Sequence, residues 1–363
     1  VHLGTAALLR FFDLHRNDEA LVLVTITGTE GSTYRKPGAM MLISRDGAYE
    51  GMISGGCLEG DLLHHANKVF ESGVPKSVTY DMHAGEDLVW GLGLGCDGII
   101  HLQLQRLERG TGFALLDFLR DAQNQHEAAL MALVTRSGTQ GLDQGTFGLL
   151  SPQAGTIGDA RLSAQCKGVV ASAGGAWPRW RQQVVRNVDA DVMFINIPPV
   201  PRVLLCGGGP DAVPVARLVS NLGWSCVIAD HRSSFARADR FPAGSQVVLT
   251  RPDGLAKVLD LNSIDAAVVM SHHLENDAAY LRQLAPHVAS GRLHYIGVLG
   301  PAARRHRLQE MAGCPGLTVH GPAGLDVGAE LPEAIALSIL AEIHAVLNQR
   351  DGQSLTTGPK GTA

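Results

Sequence analysis

At 363 residues the chain exceeds what one hydrophobic core ordinarily fills, which favours two domains. Hydrophobic residues make up 45% and charged residues 18%, a balance that excludes a disordered chain. The formal charge of -5 argues against a general nucleic-acid binder, and no apolar stretch reaches the roughly 18 residues of a membrane span.

In chain order, Leu21–Thr27 reads as a buried β-branched strand. It runs into a polar glycine loop from Gly28 to Gly38, where Arg35 and Lys36 add positive charge. Such a loop either presents amides to an anion or forms a solvated hairpin connection. Ala39–Ser44 and Tyr49–Ile53 are the next expected strands, joined by the Arg45-Asp46-Gly47 turn. Ser54-Gly55-Gly56-Cys57 then opens a helix over Leu58–Phe70, with Glu59 in its first turn. A helix start favours a thiolate at Cys57, and a small thiol filling a tight junction is the competing reading.

Leu88–Gly98 alternates glycine with apolar residues and carries Cys96 and Asp97. Backbone with so little side-chain cover suits a flat ligand or a crowded strand. Ile99–Gln105 is a strand and Phe113–Leu119 lies in a helix. Ala129–Arg136, Thr146–Leu150 and Gly155–Asp159 faintly echo the first hundred residues, as a degenerate duplication without the cysteine. The prolines at 198, 199 and 201 place a domain boundary near 200.

Val203–Cys206, the turn Gly207-Gly208-Gly209-Pro210-Asp211-Ala212, a helix to Asn221 and the strand Ser225–Ala229 form the front half of a dinucleotide-binding unit. Gly207 permits the sharp turn, Gly209 clears space for phosphate, and Ala212 allows close helix–strand approach. Asp230 is placed to accept ribose hydroxyls, with Arg232 at the nucleotide's outer edge. Pro210 removes an amide and Asp211 adds negative charge, which both weaken ordinary dinucleotide binding. After the strand Asp265–Met270 come His272, His273 and Asp277, candidates for acid–base work or for capping. Leu293–Val298 is a further strand, Arg304–Arg307 a basic helix face, and Pro332 opens a helix to about Val346. A frayed tail is expected over 351–363. The six cysteines form no CxxC pair, so no metal site is expected. With no secretory leader read at the start, the expected compartment is the cytoplasm.

Taken together, TEGSTYRKPGAMML from Thr29, SGGCLEGD from Ser54, GLGLGCDG from Gly91, GGGPDAVPVARL from Gly207, MSHHLENDAAYL, YIGVLGPAARRHRL and GLDVG resemble the XdhC/CoxI family of xanthine dehydrogenase accessory proteins. The resemblance is ordered and covers nearly the whole chain. It implies an N-terminal α+β region over 1–199 and a Rossmann-like parallel-sheet domain over 200–350. It further implies a chaperone that binds molybdenum cofactor, supports its sulfuration with a cysteine desulfurase, and delivers it to a molybdenum hydroxylase of the xanthine dehydrogenase type. Cys57 and Cys96 carry over as cofactor cysteines, and the 207–212 turn as the phosphate site. Two alternatives stand beside it: an NAD(P)-dependent oxidoreductase, and an assembly scaffold with a vestigial nucleotide fold. A homodimer is the default oligomer.

Overall fold

The computed structural model describes residues 4–82, 98–111, 113–137, 142–174, 177–178, 182–186, 190–354 and 356. The chain divides into two compact units, Val1–Pro199 and Val200–Ala363.

The first unit runs α1 (Thr5–Leu14), β1 (Ala20–Gly31), β2 (Met40–Ser44), β3 (Tyr49–Gly51), α2 (Glu59–Ser72), β4 (Lys76–Asp81) and β5 (Gly98–Glu108). It continues with α3 (Ala114–Asn124), β6 (Ala129–Arg136), β7 (Phe147–Ser151), β8 (Gly155–Gly158), α4 (Ala160–Ser172), β9 (Gln182–Arg186) and β10 (Asp191–Ile197). The strand orders are β3-β2-β1-β5-β4 and β8-β7-β6-β10-β9, so one topology is used twice, each time after a leading helix.

Alternation along β1 explains the layering, because successive strand side chains point to opposite faces. Val22, Val24 and Ile26 pack with Leu62, Ala66 and Val69 of α2, while Leu21 and Leu23 face the other way. There they join α1, α3 and Met131, Met193 and Ile195 of the second sheet in one apolar layer. The outer face of the second sheet packs Leu130, Ala132 and Phe194 on Leu162 and Cys166 of α4.

In the first sheet β1 extends beyond its expected limit and β4 is a strand that the sequence reading does not include. Gly28–Gly31 belongs to β1, which continues past a register shift at Ile26/Gly28 and pairs Gly31 with Gly98. Backbone pairing does not require apolar side chains, and a Cβ on Gly98 would sit 2.5 Å from the Glu30 carbonyl, so only glycine fits this approach. The edge strand β4 alternates half-buried and exposed residues and carries no apolar run to announce it.

The second unit is a parallel sheet of β11 (Arg202–Cys206), β12 (Ser225–Asp230), β13 (Gln246–Leu249), β14 (Ala266–Val269) and β15 (Tyr295–Val298). Its order is β13-β12-β11-β14-β15, with every pairing parallel. The helices are α5 (Ala212–Asn221), α6 (Leu255–Val258), α7 (Leu274–Ala289), α8 (Ala302–Met311) and α9 (Pro332–Leu347). The central strands read as continuous apolar runs because both faces are covered. Val203, Leu205 and Val268 pack with α5 and α9, while Leu204, Cys206 and Val269 pack with α7 and α8. This is a Rossmann-like fold with its switch point between β11 and β14.

At that switch point two chain turns touch. Gly207 has φ +125°, and a Cβ there would lie 2.6 Å from the Met270 carbonyl. Gly207→Ala should destabilise the second unit by about 1–3 kcal/mol. Urea unfolding should show a lowered midpoint with an unchanged slope, and a wild-type midpoint would mean that the turn relaxes freely.

Candidate functional site

In the first unit the antiparallel pairing brings the β1–β2 connection, the β3–α2 connection and the start of β5 to one end of the sheet. Thr33 donates through its hydroxyl to the Arg35 carbonyl at 3.0 Å, and Arg35 Nε is buried without a hydrogen-bond partner. Cys57 is exposed on the β3–α2 connection, just before the helix. Cys96 and Asp97, with the rest of Leu88–Asp97, lie outside the described residues.

Glu59 organises the Cys57 turn. It is buried at the first position of α2 and accepts from the Ile53 amide (3.4 Å), the Ser54 amide (3.0 Å), the Leu58 amide (3.2 Å) and the Ser54 hydroxyl (2.6 Å). Ser54 Oγ in turn accepts from the Cys57 amide at 3.1 Å and the Leu58 amide at 3.0 Å. A single carboxylate thus ties the Ile53, Ser54 and Leu58 amides together and fixes the backbone carrying the thiol. Burial pushes the Glu59 carboxyl up, and the Ser54 hydroxyl with the Ser54 and Ile53 amides outweighs it, leaving the pKa below the ordinary value. The second copy of the topology has no such turn: Asp159 alone joins β8 to α4, capping it through the Arg161 and Leu162 amides.

In the second unit the acid of the dinucleotide-like motif is engaged within the protein. Asp230 is 1% exposed and accepts from the Gly208 amide (2.8 Å) and from the Arg232 amide (2.8 Å), Nε (2.9 Å) and Nη2 (2.7 Å). Those four bonds fill the carboxylate's lone pairs. Burial pushes the Asp230 carboxyl up, and the Arg232 guanidinium and the two amides bring it below the ordinary value. Arg232 also lies 4.0 Å over the Phe235 ring, and Arg240 donates to the Gly208 carbonyl at 2.6 Å. A Cβ on Gly208 would meet the Phe235 carbonyl at 2.9 Å, so the 232–240 segment is pressed onto the β12 side of the turn.

The β14 side is open. A cavity of about 600 Å³ is bounded by Asp211 and Val215 of the turn and α5, by Met270 and His272, by Leu299, and by residues 322–339. His272 stands at φ +60°, a left-handed conformation that side chains seldom adopt, and its Nε2 lies 2.6 Å from Asp211 Oδ2. Asp211 Oδ1 is buried without a hydrogen-bond partner. Asp277 does not reach the cavity: it is buried, accepts from the Ser271 amide and hydroxyl at 3.1 and 2.5 Å, and pairs with Arg304 at 2.5 Å. It therefore positions the 271–273 turn. The lining loop 321–325 is held by Glu342, which accepts from His320 (2.9 Å), Tyr295 (2.6 Å) and the Gly324 amide (2.7 Å). In the sequence GPAGLDVG stands only as a glycine loop, with nothing to tie it to the site. The signal is the acid on α9 that holds it, legible only once the helix is packed.

Among the described residues no group of three or more His, Cys, Asp or Glu side chains could hold a metal ion, and no helix is long and apolar enough to cross a membrane.

A family model described as the XdhC Rossmann domain matches residues 203–343, and one described as the XdhC and CoxI family matches residues 14–81. A Bacillus subtilis (strain 168) protein, named as a probable xanthine dehydrogenase subunit, is 32% identical over 343 residues, covering 91% of this chain and 94% of that one. The Escherichia coli (strain K12) molybdenum cofactor insertion chaperone PaoD is 24% identical over 357 residues, 96% of this chain and 91% of that one. A Bacillus halodurans crystal structure described as a xanthine dehydrogenase superposes with a TM-score of 0.76 at 28% identity, covering 98% of each chain.

Two outcomes follow for the first unit and the thiols. Burial raises the thiols of Cys166 and Cys226 to about 12 and that of Cys206 well above its ordinary value, whereas Cys57 is exposed. A disulfide reagent on native protein should modify Cys57 well before those three, read by peptide mass mapping; equal rates would contradict the exposed turn. Glu59, with its pKa depressed, contributes stability above the ordinary carboxylate value, and that contribution is lost as pH falls through the folded value. Glu59→Gln should therefore cost about 1–3 kcal/mol at pH 7. The gap to wild type should shrink in urea titrations below about pH 4.5, the ordinary value for the group.

Proposed function

The chain belongs to the XdhC/CoxI family of xanthine dehydrogenase accessory proteins, and on that premise we propose that it binds molybdenum cofactor, supports its sulfuration and delivers it to a xanthine dehydrogenase-type molybdenum hydroxylase. The observation that carries this reading is Cys57, an exposed thiol on a backbone turn organised by Ser54 and Glu59. An accessible soft donor suits a sulfur-rich molybdenum centre, and it suits exchange of sulfur with a partner. The cofactor, when bound, supplies the redox centre of the receiving enzyme. This chain's own residues would hold and expose it. The names of the relatives point the same way, since one is a molybdenum cofactor insertion chaperone and another is named for xanthine dehydrogenase. A cysteine desulfurase as sulfur donor, a cytoplasmic setting and a homodimeric state complete the proposal.

An NAD(P)-dependent oxidoreductase is the second reading, favoured by the Rossmann-like unit and the His272–Asp211 pair. Against it stand the filled lone pairs of Asp230 and the carboxylate of Asp211 at the start of α5, where a pyrophosphate would lie.

Native mass spectrometry of the full chain from a host that makes the cofactor separates the two. The expected spectrum carries a molybdopterin mass that Cys57→Ser reduces at least several-fold. Full retention by that variant would remove Cys57 from the site, and a nicotinamide dinucleotide mass would favour the oxidoreductase.

A further inference from the structure

The last helix of the second unit is built inside out for a surface element. A surface helix ordinarily turns its polar residues to water and its apolar stripe inward. In α9 the inner side carries Ser338, which donates to the Leu325 carbonyl, and Glu342, which holds the 321–325 loop. The outer side carries Leu337, 59% exposed, and Leu331 at the helix start is 70% exposed. Ala334, Leu337 and Ala341 follow one another at helical spacing and share a face, with the two half-buried alanines on either side of the leucine. The helix α5 lies beside α9 on the same side of the sheet and runs parallel to it. The first turns of both border the cavity, and at their far ends Trp224 stacks on His344 at 5.7 Å. Arg217 is exposed on α5, two residues past the cavity residue Val215 and so level with the second half of α9. Glu333 is exposed in the first turn of α9. This helical layer therefore has an apolar centre at Leu337, an acid toward one end and a base toward the other.

We infer that this face pairs with the same face of a second copy of the chain, each α9 running antiparallel to the other across a two-fold axis near Leu337. That arrangement is self-complementary, as a two-fold interface must be. It covers both Leu337 side chains and sets Ala334 of each copy against the partner's Ala341, where small side chains let the helices approach. It also brings Glu333 of each copy to the partner's Arg217, so that one charge pair forms twice. A parallel pair would instead set Glu333 against Glu333. The helix dipoles favour the antiparallel choice as well, since each positive end lies beside a negative one. The inference gives a surface to the homodimeric state proposed above and uses no residue of the Cys57 turn.

Sedimentation velocity and native mass spectrometry on the full chain, with no cofactor added, read the oligomeric state. The wild-type protein should be a dimer. Leu337→Arg, a change at an exposed position, should yield a monomer with wild-type circular dichroism. Glu333→Arg and Arg217→Glu should each raise the dimer dissociation constant at least about tenfold, because each reversal turns two attractions into two repulsions. Mixing those two variants should restore a dimer containing one of each, since both cross-copy pairs are then opposite in sign. A wild-type monomer would overturn the inference and leave the face to some other partner. A dimer that survives Leu337→Arg would place the interface elsewhere, and a mixture that stays monomeric would overturn the antiparallel pairing. Failure of these tests with Cys57-dependent molybdopterin retention intact would count against this surface alone. The expected mixing result without such retention would count against the cofactor reading alone.

Discussion

The architecture of the second unit turns on a contact between two stretches of backbone. Gly207 directly follows β11 and lies against the Met270 carbonyl just beyond β14. Neighbouring Gly208 is approached by the Phe235 carbonyl from the β12 side, where a Cβ would lie 2.9 Å away. With no Cβ allowed at either position, the turn is clamped from two directions. Space remains on the β14 side, where Asp211, His272 and the loop held by Glu342 enclose the cavity. The motif that ordinarily cradles a dinucleotide is therefore kept in geometry while its surroundings change its chemistry. Asp230, Arg232 and Arg240 have become the fastening of the covering segment.

The first unit solves a different problem by repetition. One strand-and-helix topology is laid down twice, and the copies differ chiefly in their connections. Residues 52–58 separate β3 from α2, where Asp159 alone separates β8 from α4. An acid stands at the helix start in both copies: Asp159 caps α4, whereas Glu59 reaches back to Ser54 and shapes the cysteine turn. The exposed thiol of Cys57 thus sits on an expanded loop over a shared frame, as is common where rigid elements position variable connections.

Much of this is legible in the chain because burial writes itself into the order of residues. The β-branched run of Leu21–Thr27, the apolar strands Val203–Cys206 and Asp265–Met270, and the glycine turn at 207 each carry a local signal that packing does not overturn. The illegible parts have identifiable causes. Gly28–Gly31 is polar and glycine-containing, yet it pairs as strand because backbone hydrogen bonds extend β1 against β5. Lys76–Asp81 and Gln246–Leu249 are edge strands, where half the side chains meet water and the apolar pattern fades. Asp277 reads as a site acid in the sequence, and its neighbours in the chain give no sign that Ser271 and Arg304 enclose it. The cavity wall at 322–339 comes from residues more than a hundred positions beyond the glycine turn, a distance that no local pattern spans.

The apolar layer of the first unit belongs to both copies of the topology. Leu21 and Leu23 of one copy and Met131 and Ile195 of the other contribute to the same interior. Severed from its sibling, either copy would turn that face to water and seek another like itself. The two copies therefore complete one interior between them, and neither buries its inner face by itself.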